Sequence, residues 1–431
     1  MYGSYHRINK KMSIVKKIIL ILGGDYLEIE IVKRAKALGY YTIVTDNHDD
    51  WALSPAKQIA DEAWNISWAD IDALEKECRS TGVNGVFAGF SEFRIEAMIK
   101  LCERLDLPCS LRMHQFEVTR DKYLFKETCR KYGVPVVPEY TVNSVINYPV
   151  IIKPVDRAGS IGINVAYNKV ELENYYWYAL SFSPSKHVII EDFITDGTKF
   201  DVYYYVQNGK VNFLGSSDTI MCRGKKGIEI LQKCWPFKSK YEKTYRQSIE
   251  PNIRRMFEGL EIDNAYATMS AFYRNGKFYF FEAGFRLSGE LSFNYQEAIT
   301  GINYINTMLK FSMHDNDNTI YYDIDESHKF SVVLNFFVVD GKVVKIKGFY
   351  ELKTMPSVYS TSIFLKENDM ISNSTNVFKK GAMVTIIANT KENLISTIIE
   401  VNRCLDIIGE NGVSLIYERT TEKEIIDYYR D

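Results

Sequence analysis

Residues Asn147 to Asn164 read NYPVIIKPVDRAGSIGIN. The β-branched run Val150 to Ile152 ends in Lys153-Pro154, and a loop carrying Gly159, Ser160 and Gly162 precedes a renewed apolar pattern, which predicts strand, loop and strand. Two positions in that loop have no Cβ and a hydroxyl lies between them. Its backbone N–H groups can therefore fold over a polyanion, while Lys153 adds a point charge from the strand end. Such a loop suits nucleotide phosphates. Gly-Ser-x-Gly also makes ordinary hairpin turns, so the segments on either side have to decide between the two.

Upstream, strands and helices alternate from Lys17: KIILIL, a helix over Tyr26 to Leu38, YYTIVT, DEAWNI, a helix over Asp70 to Ser80, GVFAGF, and a helix over Glu92 to Leu105. This pattern predicts a parallel sheet covered on both faces, with ligand positions beyond the carboxyl ends of its strands. Gly23-Gly24, Asp46 and Ser91-Glu92 fall at those ends. GGDYLE lacks the third glycine of a dinucleotide fingerprint. Gly89-Phe90-Ser91-Glu92-Phe93 has a bulky residue where the hydrolase elbow GxSxG needs glycine. Ser91 and Glu92 read equally as a helix cap and first turn or as substrate contacts.

Two helices follow, around Gln115 and over Asp121 to Tyr132, and after the central unit comes a helix over Glu171 to Leu180. Its Tyr175-Tyr176-Trp177-Tyr178 cluster is expected to pack on the core. Hairpins are predicted at Asn208-Gly209, at Asn275-Gly276 and within FSVVLNFFVVDGKVVKIKGF. Between the first two lie a long basic loop from Thr219 to Ser239 and a helix from about Glu242 to Leu260. The last hundred residues read as a smaller α+β module.

The whole chain of 431 residues is 46% hydrophobic and 25% charged, with a net charge of -2. That is the balance of a folded protein of two to four domains, at roughly 100–200 residues each. No basic stripe favours nucleic acid. The apolar run Ile18 to Leu22 is too short for a membrane span or a signal peptide. Seven scattered cysteines without a CxxC pair fit reduced thiols in the cytoplasm.

In order, Asp121-Lys122, YPVIIKP, GSIG, VIIEDFI and FYFFEAGFRLSG resemble the parts of the ATP-grasp superfamily. The resemblance covers roughly residues 17 to 420 and is nearest the carbamoyl-phosphate-synthase large-chain-like, or carboxylate-amine ligase, branch. It implies mixed α/β and α+β architecture: a flexible arm over 1–15, an N-terminal parallel-sheet domain over 16–112, an ATP-grasp domain over 113–325 with a nucleotide-binding subdomain over 151–210, and a closing module over 326–431. It also implies ATP and Mg2+. Lys122 and Lys153 would meet the phosphates under the Gly159-Ser160-Ile161-Gly162 loop. Glu191 would accept from the adenine amino group, and Asp192, Phe193 and Ile194 would line the ring edge. Glu282 would bind magnesium, and Arg286 would be the catalytic residue that steadies the transferred phosphoryl group.

Three departures from the superfamily pattern stand out. Met269 occupies the place of a first metal-binding acid, Gly284 replaces a usual asparagine, and Lys199 replaces an acidic ribose contact. Asp201 is the candidate for the ribose, and Asp218 for the lost metal ligand. Substrate contacts are sought among Ser91, Glu92, Arg223, Lys225 and Glu290. The implied activity is ADP-forming ligation of a small carboxylate, activated as an acyl phosphate, to an amine. Bicarbonate activation and a non-catalytic ATP-binding module are the alternatives. Small-molecule substrates are the expected partners, with neither nucleic acid nor membrane, and a homodimer is the commonest assembly for such chains.

Overall fold

The computed structural model describes residues 16–144, 146–157, 161–222, 231–289, 292–315, 329–373 and 378–430. Gly159, Ser160, Arg223, Lys225, Glu290 and the 1–15 arm lie outside the described residues.

In chain order the first elements are β1 (Ile18–Leu22), α1 (Glu28–Ala37), β2 (Tyr41–Thr45), β3 (Glu62–Trp64), α2 (Ile71–Thr81), β4 (Gly85–Phe87) and α3 (Glu92–Leu105). Next come α4 (Met113–Arg120), α5 (Lys122–Lys131), β5 (Glu139–Tyr140), β6 (Val150–Pro154), β7 (Asn164–Ala166), α6 (Lys169–Phe182) and β8 (Val188–Asp192). They are followed by β9 (Thr198–Gln207), β10 (Lys210–Met221), β11 (Gln232–Phe237), α7 (Glu242–Ser248), α8 (Glu250–Gly259), β12 (Ala265–Arg274), β13 (Lys277–Gly284), α9 (Ser292–Thr300) and α10 (Tyr304–Ser312). The chain closes with β14 (Phe330–Val338), β15 (Gly341–Lys347), α11 (Phe349–Leu352), β16 (Val358–Ile363), β17 (Met370–Ile371), β18 (Lys379–Ala388), α12 (Lys391–Cys404), β19 (Asp406–Gly409) and α13 (Glu422–Tyr429).

Two compact units emerge, one of residues 16–110 with 305–315 and the other of the remaining described residues. In the first, a parallel sheet of order β3-β2-β1-β4 forms, because Ile19 to Leu22 and Ile43 to Val44 are apolar runs buried on both faces. Where a dinucleotide phosphate would approach Gly23, the Arg94 guanidinium lies instead: a Cβ on Gly23 would meet it at 2.4 Å. Arg94 is held there by Asp25 and Glu28, both at 2.8 Å.

The second unit contains a four-stranded antiparallel sheet, β5-β8-β6-β7, and an eight-stranded one, β13-β12-β9-β10-β11-β14-β18-β16. Residues beyond 326 therefore supply the far strands of the large sheet rather than a separate body. The Asn208-Gly209 and Asn275-Gly276 turns have positive φ at both residues, as a two-residue hairpin of this hand requires. At Asp340-Gly341 the expected third hairpin does not close. Asp340 is not left-handed, and β14 pairs with β11 and β18 while β15 joins β17 and β19.

Other expectations are corrected in the same way. Both ends of the predicted basic loop are strand, because β10 runs to Met221 and β11 begins at Gln232. The helix after it breaks at Ile249, since Pro251 has no N–H to continue the ladder. In α6, Tyr175 and Tyr176 rest on a core of Val150, Ile152, Leu172 and Ile190, whereas Trp177 and Tyr178 are exposed. All seven cysteines are free thiols.

Candidate functional site

Alternation along β6 decides where its charge goes. Val150 and Ile152 face α6, so Ile151 and Lys153 face the other side. Glu191 of β8 pairs with Ile151 and points to that same side. There the Lys153 ammonium meets Glu191 Oε2 at 2.6 Å. A second lysine, Lys126 from α5, pairs with Glu191 Oε1, donates to the Val137 carbonyl at 2.9 Å and lies 3.2 Å from Glu139. Burial alone would raise the Glu191 carboxyl, but the two lysines outweigh it and hold it below the usual range. Both Glu191 oxygens are thus committed to lysines, which orients Lys153 for a further anionic partner. The adenine role implied for Glu191 has to share those oxygens.

Asp121 caps α5 by accepting from the N–H groups of Tyr123 and Leu124. That cap fixes Lys122, whose ammonium donates to the Arg157 carbonyl at 2.7 Å, beside the phosphate-loop segment. Ile161 is exposed and Gly162 adopts φ +75°, with Pro154 and Phe182 close enough that a Cβ there would meet them at 2.9 and 3.1 Å. After β8, the N–H groups of Asp192 and Phe193 donate to the carbonyls of Pro138 and Pro149. The Asp192 carboxylate accepts from the Tyr140 hydroxyl, a bond that, with burial, lifts the phenol to about 12. Ile194 is buried.

The large sheet aligns the remaining candidates in one row. Asp201 of β9 lies opposite Ser217 of β10 and Ser270 of β12, and Ser270 opposite Glu282 of β13. Glu282 is exposed, whereas Met269 is fully buried and pairs with Ala283 on the reverse face. The residue facing Glu282 is consequently Ser270, one place from where the motif spacing points. Asp201 accepts from Lys199 at 2.6 Å and from Ser270 at 2.5 Å. Among the described residues, no three His, Cys, Asp or Glu side chains converge as a metal cage. A lone exposed carboxylate nevertheless fits magnesium, which commonly takes the rest of its shell from phosphates and water. Arg286 is half-buried two residues beyond β13, its guanidinium 3.4 Å from the Leu287 carbonyl.

Asp218 does not join this row. It is fully buried and accepts from Ser239 at 2.6 Å, Tyr428 at 2.7 Å and the Lys240 N–H at 3.3 Å. Its oxygens are occupied by the segment after β11 and by Tyr428 of α13, which fits a structural anchor better than a stand-in metal ligand. Ser91 is the N-cap residue of α3 without a side-chain capping bond, and Glu92 opens the helix, both in the first unit.

Sequence reasoning missed Lys126 and Ser270. Lys126 was visible as a lysine beside Phe125 on the buried stripe of α5, and Ser270 required the strand register.

A family profile described as D-ala D-ala ligase C-terminus matches residues 121–257. The carbamoyl phosphate synthase large chain of Methanothermobacter thermautotrophicus is 25% identical over 223 residues, 47% of this chain and 21% of that protein. The formate-dependent phosphoribosylglycinamide formyltransferase of Prochlorococcus marinus subsp. pastoris is 28% identical over 197 residues, 43% of this chain and 50% of the relative. The chain thus spans half or less of the curated relatives it matches. An L-amino acid ligase from Bacillus licheniformis superposes with a TM-score of 0.77 at 19% identity, over 92% of this chain and 99% of that one.

Proposed function

We propose that this chain, a member of the ATP-grasp superfamily, is an ADP-forming ligase that activates a small carboxylate and joins it to an amine. The observation that carries the reading is the paired arrangement in the second unit. Lys126, Glu191 and Lys153 form a buried charge cluster beside the Lys122 helix start and the Gly162 turn, and Glu282 with Arg286 closes β13.

Lys122 and Lys153 bring two cations to phosphate oxygens, each charge-assisted hydrogen bond contributing about 1.5–3 kcal/mol. The N–H groups flanking Gly162 serve the same anion, and the apolar surface of Phe193 and Ile194 suits a purine face. Magnesium, when bound through Glu282, offsets phosphate charge. A substrate carboxylate oxygen attacks the terminal phosphorus and the bond to the ADP oxygen breaks. Arg286, always charged, steadies the equatorial oxygens as they pass. The amine then attacks the acyl carbon, inorganic phosphate leaves, and the amine proton goes to solvent or phosphate.

Hydroxylamine tests this reading as a small nucleophile. With ATP, magnesium and an accepted acid it should yield the acid's hydroxamate and one ADP per hydroxamate, and Arg286→Ala should lower the rate at least about a hundredfold. ADP formed with no hydroxamate from any acid would reject acyl activation.

A further inference from the structure

The buried Glu191 carboxylate has two lysine partners, and they are not equivalent. Phe125, Lys126 and Cys129 are the buried residues of α5, so Lys126 carries its charge into the interior and needs partners there. Its side chain is 1% exposed, and its three N–H donors have three acceptors: the Val137 carbonyl at 2.9 Å, Glu139 at 3.2 Å and Glu191 Oε1. Glu139 is held in turn by Arg130. Lys126 is thereby fixed, with no donor left for a ligand.

Lys153, near the end of β6, stands differently. Its side chain is 12% exposed, and among the described residues its ammonium has one hydrogen-bond acceptor, Glu191 Oε2 at 2.6 Å. The Phe281 ring, 5.8 Å away, adds only a cation–π contact. Two of its three donors therefore remain for an incoming anion. Phosphate oxygens that engage those donors draw the ammonium off Glu191. A carboxylate as buried as Glu191, 2% exposed, is strongly destabilised when it is left without a counter-ion. With Lys126 in place it is not so left: Oε1 keeps its partner, the charge stays balanced, and only Oε2 loses its donor. That oxygen then needs a new one. Phe193 and Ile194 follow Glu191 by two and three residues with an apolar surface suited to a purine, so the donor at hand is an amino group on the edge of the base.

We infer that Lys126 is a positioning residue that couples the two ends of the nucleotide site: as the fixed counter-ion of Glu191 it releases Lys153 to the phosphates, and the Oε2 that Lys153 vacates reads an amino group on the base. This rests on the ligase reading, in which Lys153 meets phosphate. The consequence is conditional base selectivity. A nucleoside without phosphates leaves Lys153 on Oε2, and its amino group finds that oxygen occupied.

Competition calorimetry with ADP, inosine diphosphate, adenosine and inosine, at fixed magnesium, tests the coupling in wild type, Lys126→Met and Lys126→Arg. Inosine carries a ring N–H and a carbonyl where adenosine has a bare ring nitrogen and an amino group. Wild type is expected to prefer ADP to inosine diphosphate about tenfold or more, while adenosine and inosine differ by less than about twofold. Lys126→Met, in which Glu191 retains Lys153, should lose most of the ADP preference and weaken ADP more than adenosine. Lys126→Arg should keep the preference. A wild-type preference that is the same with and without phosphates overturns the coupling, and that comparison needs no variant to fold. Lys126→Met that weakens all four ligands alike, or that retains the ADP preference, reduces Lys126 to a structural ion pair and also overturns it. In either case, acid-dependent ADP formation by the same wild-type protein keeps the ligase reading standing on its own. Wild type that binds no nucleotide sinks the ligase reading and the coupling together.

Discussion

Replacing Asp218 by asparagine separates an anchor from a metal ligand. Burial pushes the Asp218 carboxyl up to about 6, from 3.8 for an unperturbed aspartate, against the lowering effects of Ser239, Tyr428 and Lys240. At about 1.36 kcal/mol per unit, that difference of about two units makes ionised Asp218 cost roughly 3 kcal/mol of folding stability. The folded chain holds the proton more tightly than the unfolded one. The cost is therefore absent below about pH 4, grows as pH rises to about 6, and is constant above. Asp218→Asn keeps a carbonyl acceptor and cannot ionise. In urea unfolding from pH 4.5 to 8, followed by tryptophan fluorescence, the variant should gain about 2 kcal/mol on wild type across that range, most of it between pH 4.5 and 6. A difference that stays flat, or one that shrinks as pH rises, would refute the argument. Magnesium that raised wild-type stability but not that of the variant would return Asp218 to the metal site.

Three further outcomes follow from buried geometry. Glu191→Gln leaves Lys126, fully buried, and Lys153, largely buried, without their shared carboxylate, and should destabilise by about 3–5 kcal/mol in denaturant titrations. Because the folded Glu191 carboxyl sits below the usual range, its contribution is present at neutral pH and should fade as pH falls below about 4.5, so wild type and variant should converge in acid. Gly162→Ala combines a left-handed φ with clashes on Pro154 and Phe182, and should lower the melting temperature by a few degrees and weaken ATP-analogue binding about tenfold or more in titration. Met269→Asp should not restore a metal ligand, because the side chain faces the core. A lower melting temperature with no gain in manganese binding is expected, and enhanced manganese binding would show the register argument to be wrong.

Much of this architecture was legible because local chemistry and tertiary structure agree. Asp70 and Asp121 cap the helices that they precede, Asn-Gly pairs turn two hairpins, and apolar runs form the buried parallel sheet. What the sequence concealed depends on which strand lies beside which. Nothing near residue 326 announces that β14, β18 and β16 extend the sheet begun by β9 and β10. Asp218 reads as a free acid until Tyr428, distant in sequence, covers it. The motif spacing to Met269 named a residue whose side chain faces the core, because alternation gives the open side to Ser270. Lys126 was readable as a charge on a buried helix stripe, though its partner on β8 was not.

The most direct test of the central claim is ADP and phosphate release by the purified protein with magnesium, against pooled carboxylic acids and amines, beside Glu282→Ala. The account predicts release that needs both an acid and an amine, and its loss in a variant that still folds, because Glu282 is exposed. Release indifferent to every acid and amine, or silence with every pool despite clear ATP binding, would contradict it.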